Sequence, residues 1–357
     1  MVLSFAPGPA KVYPEIRQYL TDAHDDGILQ LGHRSERFVQ LSKSVVADIK
    51  AKLNVPAEYF VYFVSSATEV WEIIAQSLTR TASLHFYNGA FGEKWYHAAR
   101  ALRPGAVAHP FGVQEAIDAR GLPPATGVEV VCVTHNETSN GTHIDATTLQ
   151  RVANQYRDAL VCVDATSSLG GASLRYGRAD VWYGSVQKCL GLPAGLGLLI
   201  CSPRALERAR QLGHRGHYNA LLNIHEKMLN FQTTHTPNVL GIYLLSRVLQ
   251  QRLPIKAVSE HLAARAEILY KFFDENFPQW APLVSTPEVR STTVLALTCA
   301  PAALEELKKT ALAHGIQLGN GYGAWVKSTF RIANFPQHQD PELVHLQRFL
   351  VGVGGGA

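Results

Sequence analysis

The sequence holds no run of like charge: 33 Lys and Arg are interspersed with 29 Asp and Glu along 357 residues. A chain this evenly balanced offers no electrostatic footprint for nucleic acid or for an anionic membrane surface. Cysteine is scarce as well. The five present are an odd number without a Cys-x-x-Cys pair, and Cys132, Cys162 and Cys201 lie inside apolar runs. They read as reduced core thiols, which excludes a disulfide framework. No uninterrupted apolar segment approaches the roughly 20 residues of a spanning helix, and the start, Met1 to Pro9, lacks a basic leader region. A soluble, cytoplasmic protein without a membrane partner is therefore expected. The Gly-x-x-x-x-Gly-Lys-Ser/Thr loop of nucleotide hydrolases is missing, as are internal repeats and low-complexity linkers.

What is present is apolar content, 46% of residues, enough for more than one core at this length. From Ile16 to the 250s, short apolar runs alternate with longer stretches of helical period, the pattern of a layered α/β sheet. Strands are expected at 60–64, 83–87, 128–133, 160–164, 181–184 and 197–201, and helices at 68–78, 92–102 and 147–156. Most of these strands are too uniformly apolar for a solvated face, which predicts a mostly parallel sheet covered on both sides. Past Pro254 the texture changes to a long helix around 260–273, a strand at 292–297, a helix at 302–314 and a strand near 329–333. The expected division is an arm at 1–14, a large domain at 15–253 and a smaller α+β domain at 254–357. Asp340 is the expected N-cap of the last helix, with Pro341 at its first position, and Gly352 to Ala357 a frayed tail.

Ligands of open α/β sheets bind beyond the carboxyl ends of the strands, so polar residues that end apolar runs are the site candidates. Ser65-Ser66-Ala67-Thr68-Glu69 would offer free N–H groups at a helix start, as a phosphate requires. His135 to Gly141 follows the buried strand expected at 128–133, and Asp164-Ala165-Thr166-Ser167-Ser168 the one after. Gly184 to Gly191 places Lys188 between two buried strands, where a lysine is costly unless exposed, paired or used covalently. A lysine for an imine, a carboxylate for a pyridine nitrogen and a phosphate cup are the parts that pyridoxal 5′-phosphate needs together. Three other features carry less. His214, His217 and His225 lack a carboxylate or cysteine to complete a metal set, so no metal is expected. Gly319 to Gly323 lacks the strand-before, helix-after context of a dinucleotide loop and reads as a flexible turn. Cys189 has no resolving partner.

With these parts in order, the chain resembles the class V, fold type I aminotransferases over nearly its whole length, most of all their phosphoserine aminotransferase branch. The resemblance rests on Gly8-Pro9-Ala10, Gly32-His33-Arg34-Ser35, Asn136-Glu137-Thr138, Asp164 with Thr166 and Ser167, Gln187-Lys188, Thr236-Pro237 and Arg331. It implies a large domain with a seven-stranded, mostly parallel sheet, a Schiff base on Lys188 and a pyridinium contact from Asp164. It also implies that Gln187 and Thr166 contact the phosphate and its surroundings, Thr138 the phenolic oxygen or ring, and the N–H groups of Ala67 and Thr68 the phosphate. Phe91 stands where the family has a stacked tryptophan. His235 and Thr236 would complete the cup from the second subunit of a homodimer, and His33, Arg34 and Arg331 would hold the substrate.

The implied reaction converts 3-phosphohydroxypyruvate and L-glutamate to O-phospho-L-serine and 2-oxoglutarate, a step of serine biosynthesis. Three positions depart from that branch: Thr68, Ala324 and Trp325 replace basic residues usual there, leaving Lys327 or His33 as substitutes. Those departures are what a serine or alanine:glyoxylate aminotransferase would show. A cysteine desulfurase would need a mobile loop cysteine and a histidine at Gln187, and a non-catalytic scaffold would be expected to lose Lys188 or Asp164.

Overall fold

The computed structural model describes residues 2–118 and 121–354. The elements begin β1 (Leu3–Ser4), α1 (Ile16–Asp25), α2 (Glu36–Leu53), β2 (Phe60–Val64), α3 (Ala67–Ser77), β3 (Ser83–Tyr87), α4 (Ala90–Leu102) and β4 (Val107–Pro110). They continue with β5 (Val130–Thr134), the hairpin β6 (Asn136–Glu137) and β7 (Thr142–His143), α5 (Ala146–Gln155), β8 (Leu160–Asp164), β9 (Val181–Ser185) and β10 (Gly197–Cys201). Then come α6 (Pro203–Leu212), α7 (Leu221–Met228), α8 (Val239–Gln251) and α9 (Ile255–Asn276). The last are β11 (Val294–Thr298), α10 (Pro301–Ala313), β12 (Ile316–Gln317), β13 (Gly319–Asn320), β14 (Thr329–Ala333) and α11 (Asp340–Gly354).

The central sheet has seven strands in the order β2-β10-β9-β8-β5-β3-β4. Only β10 runs against its neighbours β9 and β2, so the sheet is mixed by one strand. Strands β5, β8, β9 and β10 are buried along their whole length, which is why they lack polar alternation. Alternate side chains still go to opposite layers. Val61, Phe63, Val161, Val163, Trp182 and Leu198 pack with Phe38 and Val45 of α2 and Leu245 of α8. Tyr62, Val130, Cys132, Cys162, Tyr183 and Leu199 pack with Ile73 and Ile74 of α3 and Leu206 of α6. Edge strand β4 is half exposed and ends at Pro110, so it lacks the apolar signal of the others and falls outside the sequence expectation.

In the last hundred residues β14 lies between β11 and β13, antiparallel to both. Its core gathers Leu269 and Phe273 of α9, Leu297, Leu304, Phe330 and Leu346. The N-terminal arm joins that core: Leu3 pairs with Ile316 in parallel, and Phe5 is fully buried there. From it the chain runs back across the sheet, where Ala10 N–H donates to Gln187 O (3.0 Å) and Tyr13 N–H to Gly191 O (3.1 Å). Two sequence expectations shift here. Asp340 is already helical rather than the cap, because Glu342 reaches back to the Gln339 N–H (2.9 Å) and Asp340 instead meets His261 and Arg265. Helix α11 runs on through Gly354, so residues 352–354 are helical where a frayed tail was expected; residues 355–357 lie outside the described residues. No described helix is long and apolar enough to cross a membrane.

Candidate active site

The polar ends of β5, β8 and β9 and the start of α3 converge on one cavity of about 290 Å³. Ala67, Thr68, Phe91, Thr138, Asp164, Thr166, Gln187 and Lys188 all line it, as the sequence suggests. Lys188 follows β9 on a turn whose carbonyls are taken one after another by distant parts of the chain. Ala10 N–H holds Gln187 O, Gln337 Nε2 holds Lys188 O (3.0 Å) and Arg252 Nη1 holds Cys189 O (3.2 Å). The turn is thereby fixed and the side chain directed inward. Among the described residues, no hydrogen bond or ion pair holds Lys188 Nζ; it lies 5.5 Å from the Phe91 ring centroid. Burial, aided by the Arg331 charge and opposed by Asp164, lowers its pKa to about 8. Such an amine is partly neutral near physiological pH, the state a nucleophile needs.

Asp164, 5% exposed, closes β8 and accepts the Thr166 N–H on Oδ1 (2.8 Å). Burial pushes its carboxyl above the usual range, with that N–H and the Lys188 charge pulling the other way. Glu137, 1% exposed, caps α4 by accepting the Phe91 and Gly92 N–H groups (3.2 and 3.1 Å), which fixes the Phe91 ring at the cavity wall. At the α3 start Ser66 accepts the Glu69 N–H (3.1 Å), Ala67 N–H donates to Ser185 Oγ (3.2 Å), and Glu69 Oε2 takes the Ser65 N–H (2.7 Å). The Thr68 N–H has no partner among the described residues. It stands at the positive end of α3, a ready anion donor.

Arg331, at the centre of β14, is 7% exposed and gives Nε to Asn320 O (2.6 Å) and Nη1 to Thr138 O (2.7 Å). Burial lowers its pKa to about 10 even though Glu137 and Tyr322 favour the cation. No carboxylate pairs with it among the described residues, and three N–H donors on Nη1 and Nη2 are left over. Tyr322 was missed by the sequence reading: its Gly-rich segment is not a loose turn, since Gly319–Asn320 form β13 and Tyr322 stacks on Phe91 at 4.9 Å and 13°. Trp71, Thr134, Asn136 and Ser185 also line the cavity without having been given a role. Trp71 reads from sequence as one more apolar residue of α3, and only its indole N–H distinguishes it.

The remaining candidates lie apart from the cavity. Arg34 Nη1 bonds Gln232 Oε1 (3.0 Å), and burial with the charges of Arg34 and His235 lowers the pKa of His33, so His33, Arg34 and His235 form one surface group. Thr236 is exposed beside it, and the Tyr218 ring, 6.3 Å from His235, bonds Glu69 at the α3 start (2.5 Å). Lys327 is exposed and does not line the cavity. His217 and His225 are engaged by Ser77 (3.2 Å) and Tyr62 (2.9 Å).

Two buried side-chain atoms of cavity-lining residues, Thr134 Oγ1 and Gln187 Oε1, have no hydrogen-bond partner among the described residues. Buried polar atoms are nearly always paired, and two on one cavity mark the seat of a polar ligand. An amine, a ring-sized space beside Phe91, a buried carboxylate and a free N–H at a helix start fit pyridoxal 5′-phosphate.

Fold and site together define an enzyme of fold type I. The chain belongs to the aminotransferase class-V family, whose model matches residues 5–326, and is a pyridoxal-phosphate-dependent aminotransferase by that membership. It is 28% identical over 349 residues to the phosphoserine aminotransferase of Rhodococcus opacus (strain B4), covering 95% of this chain and 91% of that one. A putative phosphoserine aminotransferase of Mycobacterium sp. (strain KMS) is 30% identical over 348 residues, with the same coverage. The crystal structure of a phosphoserine aminotransferase from Cytophaga hutchinsonii ATCC 33406 superposes with a TM-score of 0.93 at 30% identity, covering 98% of both chains. An alanine–glyoxylate aminotransferase from Nostoc sp. shares the fold, with a TM-score of 0.83 at 20% identity over 99% of this chain and 95% of that one.

Proposed function

We propose that the protein transfers the amino group of L-glutamate to 3-phosphohydroxypyruvate, giving O-phospho-L-serine and 2-oxoglutarate, with pyridoxal 5′-phosphate seated in the cavity. The observation that carries the transamination is the presence there of two buried ionisable groups without an ion-pair partner among the described residues: the Lys188 amine beside Phe91, and the Asp164 carboxyl at the end of β8. The phosphorylated acceptor is supported by the names of relatives that cover nearly the whole chain.

Lys188 Nζ is the amine that would hold the cofactor's aldehyde carbon, and once displaced by substrate it would carry the proton from the substrate Cα. Asp164 would pair with the ring nitrogen, whose positive charge would hold the carboxyl ionised despite its burial. When bound, the cofactor supplies an electron-withdrawing ring that accepts the charge left at Cα. Phe91 would stack on the ring, Thr138 would face its phenolic side, and Thr166, Gln187 and the N–H groups of Ala67 and Thr68 would surround the phosphate. Arg331 would take the α-carboxylate on its spare Nη1 and Nη2 donors, a bidentate grip suited to guanidinium.

His235 and Thr236 are read as completing the phosphate cup of a second copy in a homodimer. Because His33 and Arg34 share their surface with His235, they would travel into that neighbouring site with it. The division into 1–14, 15–253 and 254–357 would then set Arg331 and Tyr322 on the smaller domain, opposite Lys188. A serine or alanine:glyoxylate activity is the second reading, favoured by Thr68, Ala324 and Trp325 in place of basic residues.

Steady-state kcat/KM for 3-phosphohydroxypyruvate, hydroxypyruvate and glyoxylate, with glutamate as donor, tests this directly. The phosphorylated acceptor should lead, and Arg34→Ala should cost about ten- to a hundredfold on it alone, the loss of one charge-assisted hydrogen bond. Preference for an unphosphorylated acceptor would overturn the assignment in favour of the second reading.

A further inference from the structure

Lys94 stands exposed in the second turn of α4. It folds back over the two stacked rings at the cavity wall, 4.7 Å from the Tyr322 centroid and 5.9 Å from that of Phe91, and donates to the Tyr322 hydroxyl at 2.5 Å. Phe91 is thus flanked by two amines, Lys188 on the inside and Lys94 toward the rim. Tyr322 is likewise flanked by Lys94 and by Arg331, whose guanidinium carbon is 5.6 Å from the ring centroid.

Lys94 has no carboxylate partner among the described residues; its hydrogen-bond partner is a phenol hydroxyl. A cation held in place by rings and a hydroxyl keeps its full charge for an incoming anion, whereas a salt-bridged lysine does not. The placement also answers the departures seen in the sequence. The loop that carries Ala324 and Trp325 docks on the start of α4, where a Cβ on Gly323 would come within 2.9 Å of the Ala90 Cβ. Ala90 and Lys94 are four residues apart on one helix and share a face. The helix therefore presents a cation beside the loop positions that lack one. Lys94, like Lys327, is exposed and does not itself line the cavity, but its ammonium rests on Phe91 and Tyr322, which do.

We propose that Lys94 is the specificity residue that reads the distal anionic group of the substrate, a phosphate or a side-chain carboxylate, while Arg331 holds the α-carboxylate. This rests on the aminotransferase reading above and deepens it by naming a residue for the second charge. Tyr322 positions Lys94 and is not itself the reader.

The test uses the cofactor-loaded enzyme and both half-reactions. Lys94→Gln should lower kcat/KM about ten- to a hundredfold for 3-phosphohydroxypyruvate and for glutamate, chiefly through KM. It should leave hydroxypyruvate and alanine within about twofold, and calorimetric titration should show O-phosphoserine binding weakened by the same factor as its KM rises. Lys94→Arg should restore selectivity, and Tyr322→Phe, which keeps the ring, should retain most of it. Equal losses on charged and uncharged members of each pair would overturn the proposal, since Lys94 would then only support the wall; so would an unchanged Lys94→Gln. A wild type that prefers hydroxypyruvate yet loses glutamate selectively in Lys94→Gln would refute the phosphoserine reading alone and leave Lys94 as reader of the donor carboxylate.

Discussion

Replacing Lys188 by methionine should abolish turnover and at the same time stabilise the cofactor-free protein. The lysine sits in the cavity with no ion pair, and burial lowers its pKa from 10.5 to about 8. At neutral pH the folded protein must hold a proton on a group that would rather shed it. Each tenfold loss of proton affinity is worth about 1.4 kcal/mol, so the cost is about 3 kcal/mol. Methionine has an unbranched chain of similar length and no charge, so the stem's packing is largely kept and the cost removed. For a chain of this size about 3 kcal/mol corresponds to roughly 4 °C in the unfolding midpoint. The pH dependence carries the sign: the folded state binds fewer protons between pH 8 and 10.5, so the penalty is complete below pH 8 and fades as pH rises toward 10.5. Unfolding of cofactor-free wild type and Lys188→Met at about pH 7 and about pH 10 should therefore show a gain at the lower pH that has mostly vanished at the higher. A variant no more stable than wild type at neutral pH, or a gain independent of pH, would refute the reasoning. Retained transamination would refute the assignment of the lysine itself.

Two further outcomes follow from the same cavity. Asp164→Asn should still bind cofactor, followed by its absorbance, yet lose at least about 10²-fold in kcat because an amide cannot hold the ring nitrogen protonated; near-wild-type turnover would show that the carboxylate faces something else. Gly8→Ala should slow cofactor capture about tenfold, because a Cβ there would stand 2.9 Å from Lys188 Nζ and 3.2 Å from Cε. Since the flexible end of a lysine can swing aside, stability should change by less than about 0.5 kcal/mol, and a large loss of stability with normal capture kinetics would count against it.

How much of this was legible in the sequence depends on whether a residue's surroundings are local. The buried strands were readable because a strand covered on both faces must be apolar throughout, and β2, β3, β8 and β10 match their expected bounds. Strand β4, half exposed at the edge, carries no such signature. Asp164 and Lys188 were legible because a charge that ends an apolar run contradicts its neighbourhood and demands a reason. Tyr322 was not, because its meaning comes from Phe91 and Lys94, more than two hundred residues away, and its flanking glycines read locally as a turn. An aromatic between two glycines nine residues before Arg331 was the one available signal. The clamp on the Lys188 turn was equally hidden, since Ala10, Arg252 and Gln337 share nothing in sequence beyond reaching successive carbonyls.

The site's electrostatics explain why so much buried charge survives in one place. Lys188, Arg331, Asp164 and Glu137 are each at most 7% exposed, and no salt bridge joins any two of them. Had they been paired, the cations would have satisfied the anions and the cavity would have little to offer a ligand. Instead only Glu137 is saturated, by the N–H groups of α4 and by Ser139, and it serves to hold Phe91. Lys188 and Asp164 line the cavity, and Arg331 stands behind its wall with spare Nη donors, 5.6 Å from the centroid of the cavity-lining Tyr322 ring. On the function proposed above, the ligand would bring an electrophile to the amine, a cation to Asp164 and a carboxylate to Arg331. A pyridinium aldehyde together with an amino acid would bring all three, so the cost that each unpaired charge imposes on the fold would be returned as selectivity for that pair.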